Sequence, residues 1–416
     1  MQTRSTLHHL RMGGKAFISH IPDATFPRLS PTTYASLKSS LLPRLTPLFQ
    51  YVDIPHEAPE KEDHGDVDFI VACPHTAIGH EEIKSVLGAS SCIPSAQPDG
   101  GGTHHFALRL ADIVTPPPTE AVPVPGETRE VHVQVDVNIR KDAKDWENVM
   151  IFHSYGDLGM IIGRLAASVG LHLGELGLKV SHSCLLNFCW RPTCAQMTSQ
   201  ALVPTYSSTF QLSSSVPDIF PFFGLSMERW KAGFETQQEA FEWVTSSRFY
   251  APGQVSDRTA RVKSRANRGM YQAFLQWSDA RVTPAAANDG QPHEKEKPED
   301  REAVRESVRG EALAFFGKRE EHDALVQTNV RKVHLKTIWN GRKVGEWTGN
   351  NNRAIGRVMA LIRQTTGEER IGQMTEEELK QLVLQAHEVV ELQLAEERQA
   401  REELEGREDT NGTVGT

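Results

Sequence analysis

Between Gly65 and Pro74 the sequence reads Asp-Val-Asp-Phe-Ile-Val-Ala-Cys, residues 66–73. A short apolar run bounded by glycine and proline predicts a β-strand over residues 66–72. Residues two apart on a strand point to the same face, so Asp66 and Asp68 should project together near the start of this strand. Two carboxylates this close raise each other's pKa unless a cation neutralises them. An all-oxygen site of this kind suits Mg²⁺ or Mn²⁺.

A third carboxylate lies on a later strand, which is predicted over Val131–Ile139. Apolar and polar side chains alternate there without interruption, which is typical of a half-buried strand with one polar face. Asp136 lies on that polar face together with His132, and it would be the third ligand if the two strands are neighbours. Three carboxylates are enough for a two-metal site that drives in-line phosphoryl displacement.

The elements around these strands indicate an α+β protein with a mixed sheet, followed by helical domains. Helices are predicted at 31–49 and 80–87, a further strand at 103–110, and mostly helical structure from Trp146 onward, beginning with a helix at 157–169 capped by Asp157. The predicted organisation is an α/β core over 1–145, a helical domain over 146–282, a linker over 283–300, a C-terminal helical region over 301–407 and a disordered tail over 408–416.

Composition restricts the classes of function. The 416 residues carry 45 Lys and Arg against 54 Asp and Glu, and this net charge of −9 argues against a generally polybasic nucleic-acid binder. Five unevenly spread cysteines form no disulfide framework and fit a reducing compartment. The first ten residues lack the apolar run of a signal peptide, and no stretch approaches the about 20 apolar residues of a spanning helix. We therefore expect a cytoplasmic or nuclear protein that does not span a membrane.

Several further motifs bear on function. His182, Cys184, Cys189 and Cys194 lack the tight Cys-x₂-Cys pair of a zinc site, so small buried hydrophobic residues are the favoured interpretation. The sequence contains no Gly-x-x-x-x-Gly-Lys-[Ser/Thr] motif, which excludes a P-loop NTPase by this criterion, and no Gly-x-Ser-x-Gly motif.

Basic residues are concentrated in residues 258–268, directly before Tyr271. Arg261, Arg265 and Arg268 share one face at helical spacing, which is consistent either with a stripe that follows nucleic-acid phosphates or with a solvated helix face. Arg140 and Lys141 follow Asp136 closely and are candidates for binding a triphosphate.

In the order of these motifs, the sequence resembles the nucleotidyltransferase superfamily, the fold shared by DNA polymerase beta, poly(A) polymerases and CCA-adding enzymes. The matching segments read Met12-Gly13-Gly14-Lys15, Asp66-Val67-Asp68 and Val135-Asp136-Val137. The resemblance implies that Asp66 and Asp68 bind both metal ions and that Asp136 binds the one that activates the attacking hydroxyl. It also implies that Gly13 and Gly14, followed by Lys15, bring backbone N–H groups to the triphosphate.

Two features extend this comparison. Gly14 and Asp66 are 52 positions apart, farther than the superfamily's usual spacing, so that either a long insertion separates them or Gly13-Gly14 is not the phosphate-binding turn. Near the C-terminus, residues 344–362 are similar to a short helical motif found late in bacterial CCA-adding enzymes, which implies a region that handles RNA.

The leading hypothesis is metal-dependent transfer of a nucleotidyl group from an NTP to a hydroxyl acceptor, with RNA as the first expectation for the acceptor. One alternative is a non-catalytic module of the same fold that binds nucleic acid or protein. Another is a metal-dependent phosphohydrolase that uses the Asp66–Asp68 pair with His132.

Overall fold

The computed structural model describes residues 14–97, 101–115, 129–181, 209–251, 268–281, 298–349 and 354–411. These residues form two compact units. The first contains the described residues up to 181 together with those from 209 to 318, and the second begins at Arg319. The α+β fold class is confirmed, because a mixed sheet occupies the N-terminal part of the chain and helices follow it.

A six-stranded sheet is the centre of the first unit. Its strands are β1 (Ala24–Thr25), β2 (Phe49–Asp53), β3 (Asp66–Pro74), β4 (Ser91–Ile93), β5 (Gly102–Arg109) and β6 (Glu130–Arg140). The order is β2-β3-β6-β5-β4, and β1 pairs with the beginning of β6. Strands β3 and β6 are parallel neighbours, as the hypothesis of a shared site requires, while β5 and β6 are antiparallel. The sheet is therefore mixed.

One face of this sheet is covered by the two predicted helices. They are observed as α1 (Pro31–Leu45) and α2 (His80–Leu87). Val67, Phe69 and Val71 of β3 pack into the same apolar core as the buried leucines of these helices. Helix α1 ends four residues earlier than predicted, because the chain has to turn before it enters β2 at Phe49.

The opposite face of the sheet carries the carboxylates and is covered only in part. Helix α3 (Ala143–His153) begins at Asp142, whose side chain accepts a hydrogen bond from the Asp145 N–H at 2.9 Å. The Trp146 indole N–H donates to the Ile70 carbonyl at 2.8 Å, and this end of the face is buried. Asp68, two residues before Ile70 on the same face, is exposed. The face is thus closed at one end and open where the carboxylates lie.

The remainder of the first unit contains a second, three-stranded sheet besides its helices. The strands are β7 (Leu171–Gly174), β8 (Gly177–Ser181) and β9 (Thr209–Ser213). The helices are α4 (Leu158–Ser168), α5 (Val216–Phe223), α6 (Met227–Ala232), α7 (Gln237–Thr245), α8 (Gly269–Asp279) and α9 (Pro298–Phe315). Aromatic contacts such as Phe220 with Trp243 and Phe241 with Phe274 join them. The range predicted to be a helical domain, 146–282, therefore also contains a small sheet.

The second unit is helical over its described residues. Its helices are α10 (Arg319–Ile338), α11 (Gly341–Thr348), α12 (Ala354–Thr366), α13 (Glu368–Ile371) and α14 (Glu376–Asn411). Trp339, Val344, Val358 and Ile362 belong to its buried core, so the apolar positions of the CCA-like segment are structural residues here. None of the helices in the described ranges is long and apolar enough to cross a membrane.

Two predicted boundaries differ from the observed ones. Helix α9 begins at Pro298, so the last three residues of the predicted linker 283–300 are helical, and residues 282–297 lie outside the described residues. Helix α14 continues to Asn411 and includes residues 408–411 of the predicted disordered tail. The glutamates, arginine and leucine that precede this tail are strong helix formers, which favours continuation of the helix.

Candidate functional site

The parallel pairing of β3 with β6 brings the three predicted carboxylates onto one face of the sheet. Asp68 lies opposite Asp136, and Asp66 lies opposite Gln134. Asp68 is exposed, Asp66 is half-buried, and Asp136 is 8% exposed. Residues 66–68 and 136 are far apart in the sequence, and the register of these two strands is what makes them neighbours.

Asp136 is held by two neighbouring side chains. Its Oδ1 accepts a hydrogen bond from the Gln134 Nε2 at 2.9 Å and lies 2.8 Å from His105 Nδ1. His105 sits directly opposite Asp136 on strand β5. The hydrogen bond to Asp136 is the main cause that raises the pKa of His105, and the charges of Asp136, Asp66 and Asp68 add to it, whereas burial opposes it. His105 therefore favours its cationic form beside the carboxylates.

The segment that begins at Gly14 lies against both carboxylate strands. The Gly14 N–H donates to Asp66 Oδ2 at 3.1 Å, and the Ala16 N–H donates to Gln134 Oε1 at 2.9 Å. Gly14 has φ +70°, and a Cβ there would come closer than 3.0 Å to the Gly65 carbonyl oxygen, so only glycine fits this position. The Gly14 turn therefore reaches the carboxylates although 52 positions separate Gly14 from Asp66.

Burial, and after it the repulsion between neighbouring carboxylates, raises the pKa of Asp66 and of Asp68. Although the Asp68 side chain is open to solvent, the protein around it desolvates its carboxylate, and Asp66, Asp136 and Glu57 add negative charge; together they raise the pKa of Asp68 to about 8. Burial and the charge of Asp136 likewise raise the pKa of Asp66, although the Gly14 N–H opposes this. A bound cation would relieve this repulsion.

Glu57 is a fourth carboxylate near this face, and three neighbouring side chains contact its oxygens. The Tyr34 hydroxyl donates to Glu57 Oε1, the Lys61 ammonium pairs with Oε2, and His64 Nδ1 lies 3.5 Å from Oε2. Burial alone would raise the pKa of Glu57, but these partners lower it to about 2. The His64 ring also stacks on Tyr34, with ring centroids 3.7 Å apart. Glu57 is therefore a fixed negative charge beside Asp68.

The exposed carboxylates open into a large cleft of about 1490 Å³ within the first unit. Asp66, Asp68 and Glu57 line one part of it, and Arg164 of helix α4 and Arg268 line another. The lining does not include Asp136, which lies behind the other two carboxylates. The cleft has room for a nucleotide-sized ligand, because ligand pockets are typically about 300–1,000 Å³.

Whether these residues suit a metal ion can be judged from donor chemistry and placement. Three carboxylates on one face, two of them with raised pKa values, are the hard oxygen donors that Mg²⁺ and Mn²⁺ prefer. Within the described parts of the chain, however, no three His, Cys, Asp or Glu side chains are already placed to hold an ion. Asp136 directs Oδ1 to His105 and Gln134 instead. The donor set fits a divalent cation, and Asp136 would have to exchange these hydrogen bonds to join it.

The other predicted nucleotide-binding residues have different surroundings. Lys15 follows Gly14 and is exposed, while Gly13 lies outside the described residues. Arg140 forms a bidentate pair with Asp145, at 2.8 and 3.1 Å, and Lys141 is exposed at the far end of β6. Neither Arg140 nor Lys141 lines the cleft. The structure thus brings the Gly14 turn to the carboxylates, whereas Lys15, Arg140 and Lys141 do not line the cleft.

The predicted nucleic-acid stripe is only partly described. Arg268 Nη1 lies 2.8 Å from Asp157 Oδ1 in the cleft wall, whereas Arg261 and Arg265 lie outside the described residues, as do His182 and the three cysteines near it. Asp157 was expected to cap helix α4 with its side chain, but its carboxylate accepts from Arg268 and from the Tyr271 N–H instead. Asp157 therefore joins helix α8 to the start of α4.

Three residues of the site belong to none of the sequence motifs. Gln134 lies on the polar face of β6, and that alternation was the available signal for it. His105 has no sequence signal, because nothing in a single strand shows what lies opposite it. Arg164 has no sequence signal at all, since it lies on an otherwise apolar helix. His132, considered for hydrolysis, is buried against Phe26, with ring centroids 5.9 Å apart.

Comparison with known proteins gives distant structural likenesses. No protein family and no curated protein matches the chain. Two similar solved structures are of Leishmania infantum polymerase beta. A ternary gap complex has TM-score 0.31 and 14% identity over 50% of this chain and 71% of that one. A ternary P/T complex has TM-score 0.30 and 16% identity over 50% of this chain and 77% of that one. Neither is a poly(A) polymerase or a CCA-adding enzyme.

Proposed function

We propose that this protein transfers a nucleotidyl group from an NTP to a hydroxyl acceptor at the Asp66–Asp68 edge of the cleft, with Mg²⁺ or Mn²⁺ as cofactor. The observation that carries the proposal is the register of β3 with β6, which places Asp66, Asp68 and Asp136 on one face beside the Gly14 turn. Burial and mutual repulsion raise the pKa values of Asp66 and Asp68, and a cation that relieves the repulsion would fit there.

Each residue has a definite role in this proposal. Asp66 and Asp68 would hold the cation from the exposed side, and Asp136 would complete the ligand set from behind. When bound, the cation would polarise the phosphate and activate the acceptor hydroxyl. The Gly14 N–H orients Asp66 before the ligand enters, whereas Asp136 is held by Gln134 and His105 and would exchange these hydrogen bonds to join the cation.

RNA is the proposed acceptor, in keeping with the basic residues of 258–268 and the CCA-like segment of 344–362. Net charge −9 means that any nucleic-acid surface has to be local. An RNA acceptor predicts that binding weakens steeply with salt, because phosphate contacts release counterions.

The direct test is a transfer assay with each labelled NTP, Mg²⁺ or Mn²⁺, and short RNA and DNA acceptors. We expect Asp66→Asn and Asp68→Asn to lower transfer by about a hundredfold or more, since each removes a charge on which cation binding depends. Asp218→Asn is the matched control, because Asp218 is an exposed carboxylate in the first turn of α5, outside the cleft. Full transfer by either cleft variant would refute the assignment.

One observation favours a second candidate function. Asp136 is engaged by His105 and Gln134, and among the described residues no three-ligand metal site is already assembled. A non-catalytic module that binds nucleic acid or protein through the same cleft would not need an assembled metal site. Calorimetry separates the two functions: NTP binding that requires a metal ion and disappears in Asp66→Asn supports the enzyme, whereas metal-independent RNA binding without NTP binding supports the module.

A further inference from the structure

Arg164 differs from the other cations that line the cleft. Arg28 pairs with Asp63 at 2.8 Å, Arg268 pairs with Asp157 at 2.8 Å, and Lys61 pairs with Glu57. Within the described residues Arg164 has no ion pair, and its Nε has no exposed surface and no hydrogen-bond partner. A guanidinium nitrogen that is enclosed without a hydrogen-bond partner is unfavourable.

The acidic groups on the same wall of the cleft are already engaged. Asp157 accepts hydrogen bonds from Arg268 and from helix α8. Glu175 lies 2.9 Å from His153 Nε2 and 3.8 Å from Arg140 Nη2. The described part of this wall therefore leaves Arg164 available for an anion that enters the cleft.

The surroundings of Arg164 on helix α4 leave space for such an anion. Gly163 precedes it and Ala167 follows one turn later, and both also line the cleft. Because Gly163 and Ala167 have small side chains or none, they take up little of the cleft beside Arg164. A planar guanidinium binds phosphate oxygens with two parallel hydrogen bonds, which a lysine cannot do.

We propose that Arg164 is the anion-binding residue of the cleft and that it receives phosphate oxygens of the ligand held at the Asp66–Asp68 edge. This inference rests on the proposed function, because that function supplies a phosphate-bearing ligand. The ligand class is a nucleoside triphosphate, and the backbone phosphates of an acceptor strand share its chemistry. Arg164 thus takes the part that the sequence analysis gave to Arg140 and Lys141.

The test compares Arg164→Gln with the unmodified protein by calorimetry, in the presence of Mg²⁺. The three probes are sodium tripolyphosphate, ATP and a short single-stranded RNA. We expect tripolyphosphate and ATP to bind about ten- to a hundredfold more weakly, which is the effect of losing hydrogen bonds to a charged group. Arg164→Lys should restore part of the affinity, since it keeps the charge but not the two-point geometry.

The matched control is Arg109→Gln, because Arg109 is an exposed arginine that pairs with Glu130 outside the cleft. It should leave all three affinities unchanged. Weakened binding of RNA alone would assign Arg164 to the acceptor backbone and would still support a phosphate site. Unchanged binding of every probe in Arg164→Gln would overturn the inference, as would failure of all three probes to bind the unmodified protein.

Thermal unfolding shows whether weaker binding by Arg164→Gln results from loss of the folded structure. If Arg164 awaits a ligand, Arg164→Gln should have a Tm equal to or above that of the unmodified protein, because it removes an unpartnered buried nitrogen. A lower Tm with unchanged affinities would make Arg164 a structural residue. If Arg164→Gln weakens tripolyphosphate binding but no nucleotidyl transfer is found, the proposed function fails and the phosphate site stands. If transfer depends on Asp66 but is unchanged in Arg164→Gln, the proposed function stands and the phosphate site at Arg164 fails.

Discussion

Replacing Gly14 with alanine should detach the N-terminal segment from the carboxylate strands. At φ +70° an L side chain is strained, and the new Cβ would come closer than 3.0 Å to the Gly65 carbonyl oxygen. The obstacle is backbone, so no side-chain rotation can relieve the clash. The segment has to move away, and the Gly14 N–H then loses Asp66.

The size of the effect follows from these two contributions. A left-handed backbone is unfavourable by about 1–2 kcal/mol for a residue with a Cβ. Losing a hydrogen bond to a charged group is worth about 1.5–3 kcal/mol. Since the segment can relieve its strain by detaching, the two partly overlap, and we expect about 2–4 kcal/mol to be lost from the docking of residues 14–17.

Hydrogen exchange is the appropriate assay, because it reports local opening. The Gly14 and Ala16 amides should exchange about thirtyfold to a thousandfold faster in Gly14→Ala, the range that corresponds to this loss of free energy. Gly356→Ala is the control, since Gly356 has open space around it in the first turn of helix α12 and alanine should stabilise that helix by up to about 1 kcal/mol. Unchanged protection of both amides in Gly14→Ala would refute the reasoning.

Three other substitutions test the site and its support. Because the folded protein raises the pKa of Asp68 from its ordinary value near 4 to about 8, the unmodified protein should lose stability as pH rises through that window, and Asp68→Asn should flatten the dependence. Equal urea-unfolding midpoints of the unmodified protein at pH 5 and pH 8 would contradict this. Gln134→Leu removes the hydrogen bond that Gln134 donates to Asp136 and the one that it accepts from the Ala16 N–H. Denaturant unfolding should show a free energy of unfolding that is lower by about 1–3 kcal/mol. Trp146→Phe removes the indole bond to the Ile70 carbonyl and should cost about 1 kcal/mol by the same measurement, whereas an unchanged midpoint would deny that bond a role.

The sequence was informative where a local pattern determines local structure. Alternation in 131–139 predicted strand β6 and its polar face, and glycine and proline bounded strand β3 correctly to within two residues. The two aspartates of β3 share a face for the same reason. The pattern alone did not show that β3 and β6 are neighbours. The observed register confirms that they are.

The rest of the site depends on contacts between strands and helices that no single segment shows. His105 matters because it lies opposite Asp136, which requires the register of β5 with β6. Arg140 looked available because its partner, Asp145, belongs to the following helix. Arg164 became notable only when the other cations of the cleft proved to be paired. Whether a charged side chain already forms an ion pair within the protein, more than its residue type, decides whether it can bind a ligand.

The central position of β6 has a consequence for how the protein is made. Strands β1, β3 and β5 all pair with β6, yet β6 comes last of the six in the chain. Long-range pairing of this kind slows folding, because the loop entropy is lost before the contacts form. During synthesis, the hairpin partners β2–β3 and β4–β5 can associate early, but they remain two separate pieces with unpaired edges until residues 130–140 emerge from the ribosome. A chain interrupted before that point would carry Asp66 and Asp68 but would lack both Asp136 and the strand that places it beside them.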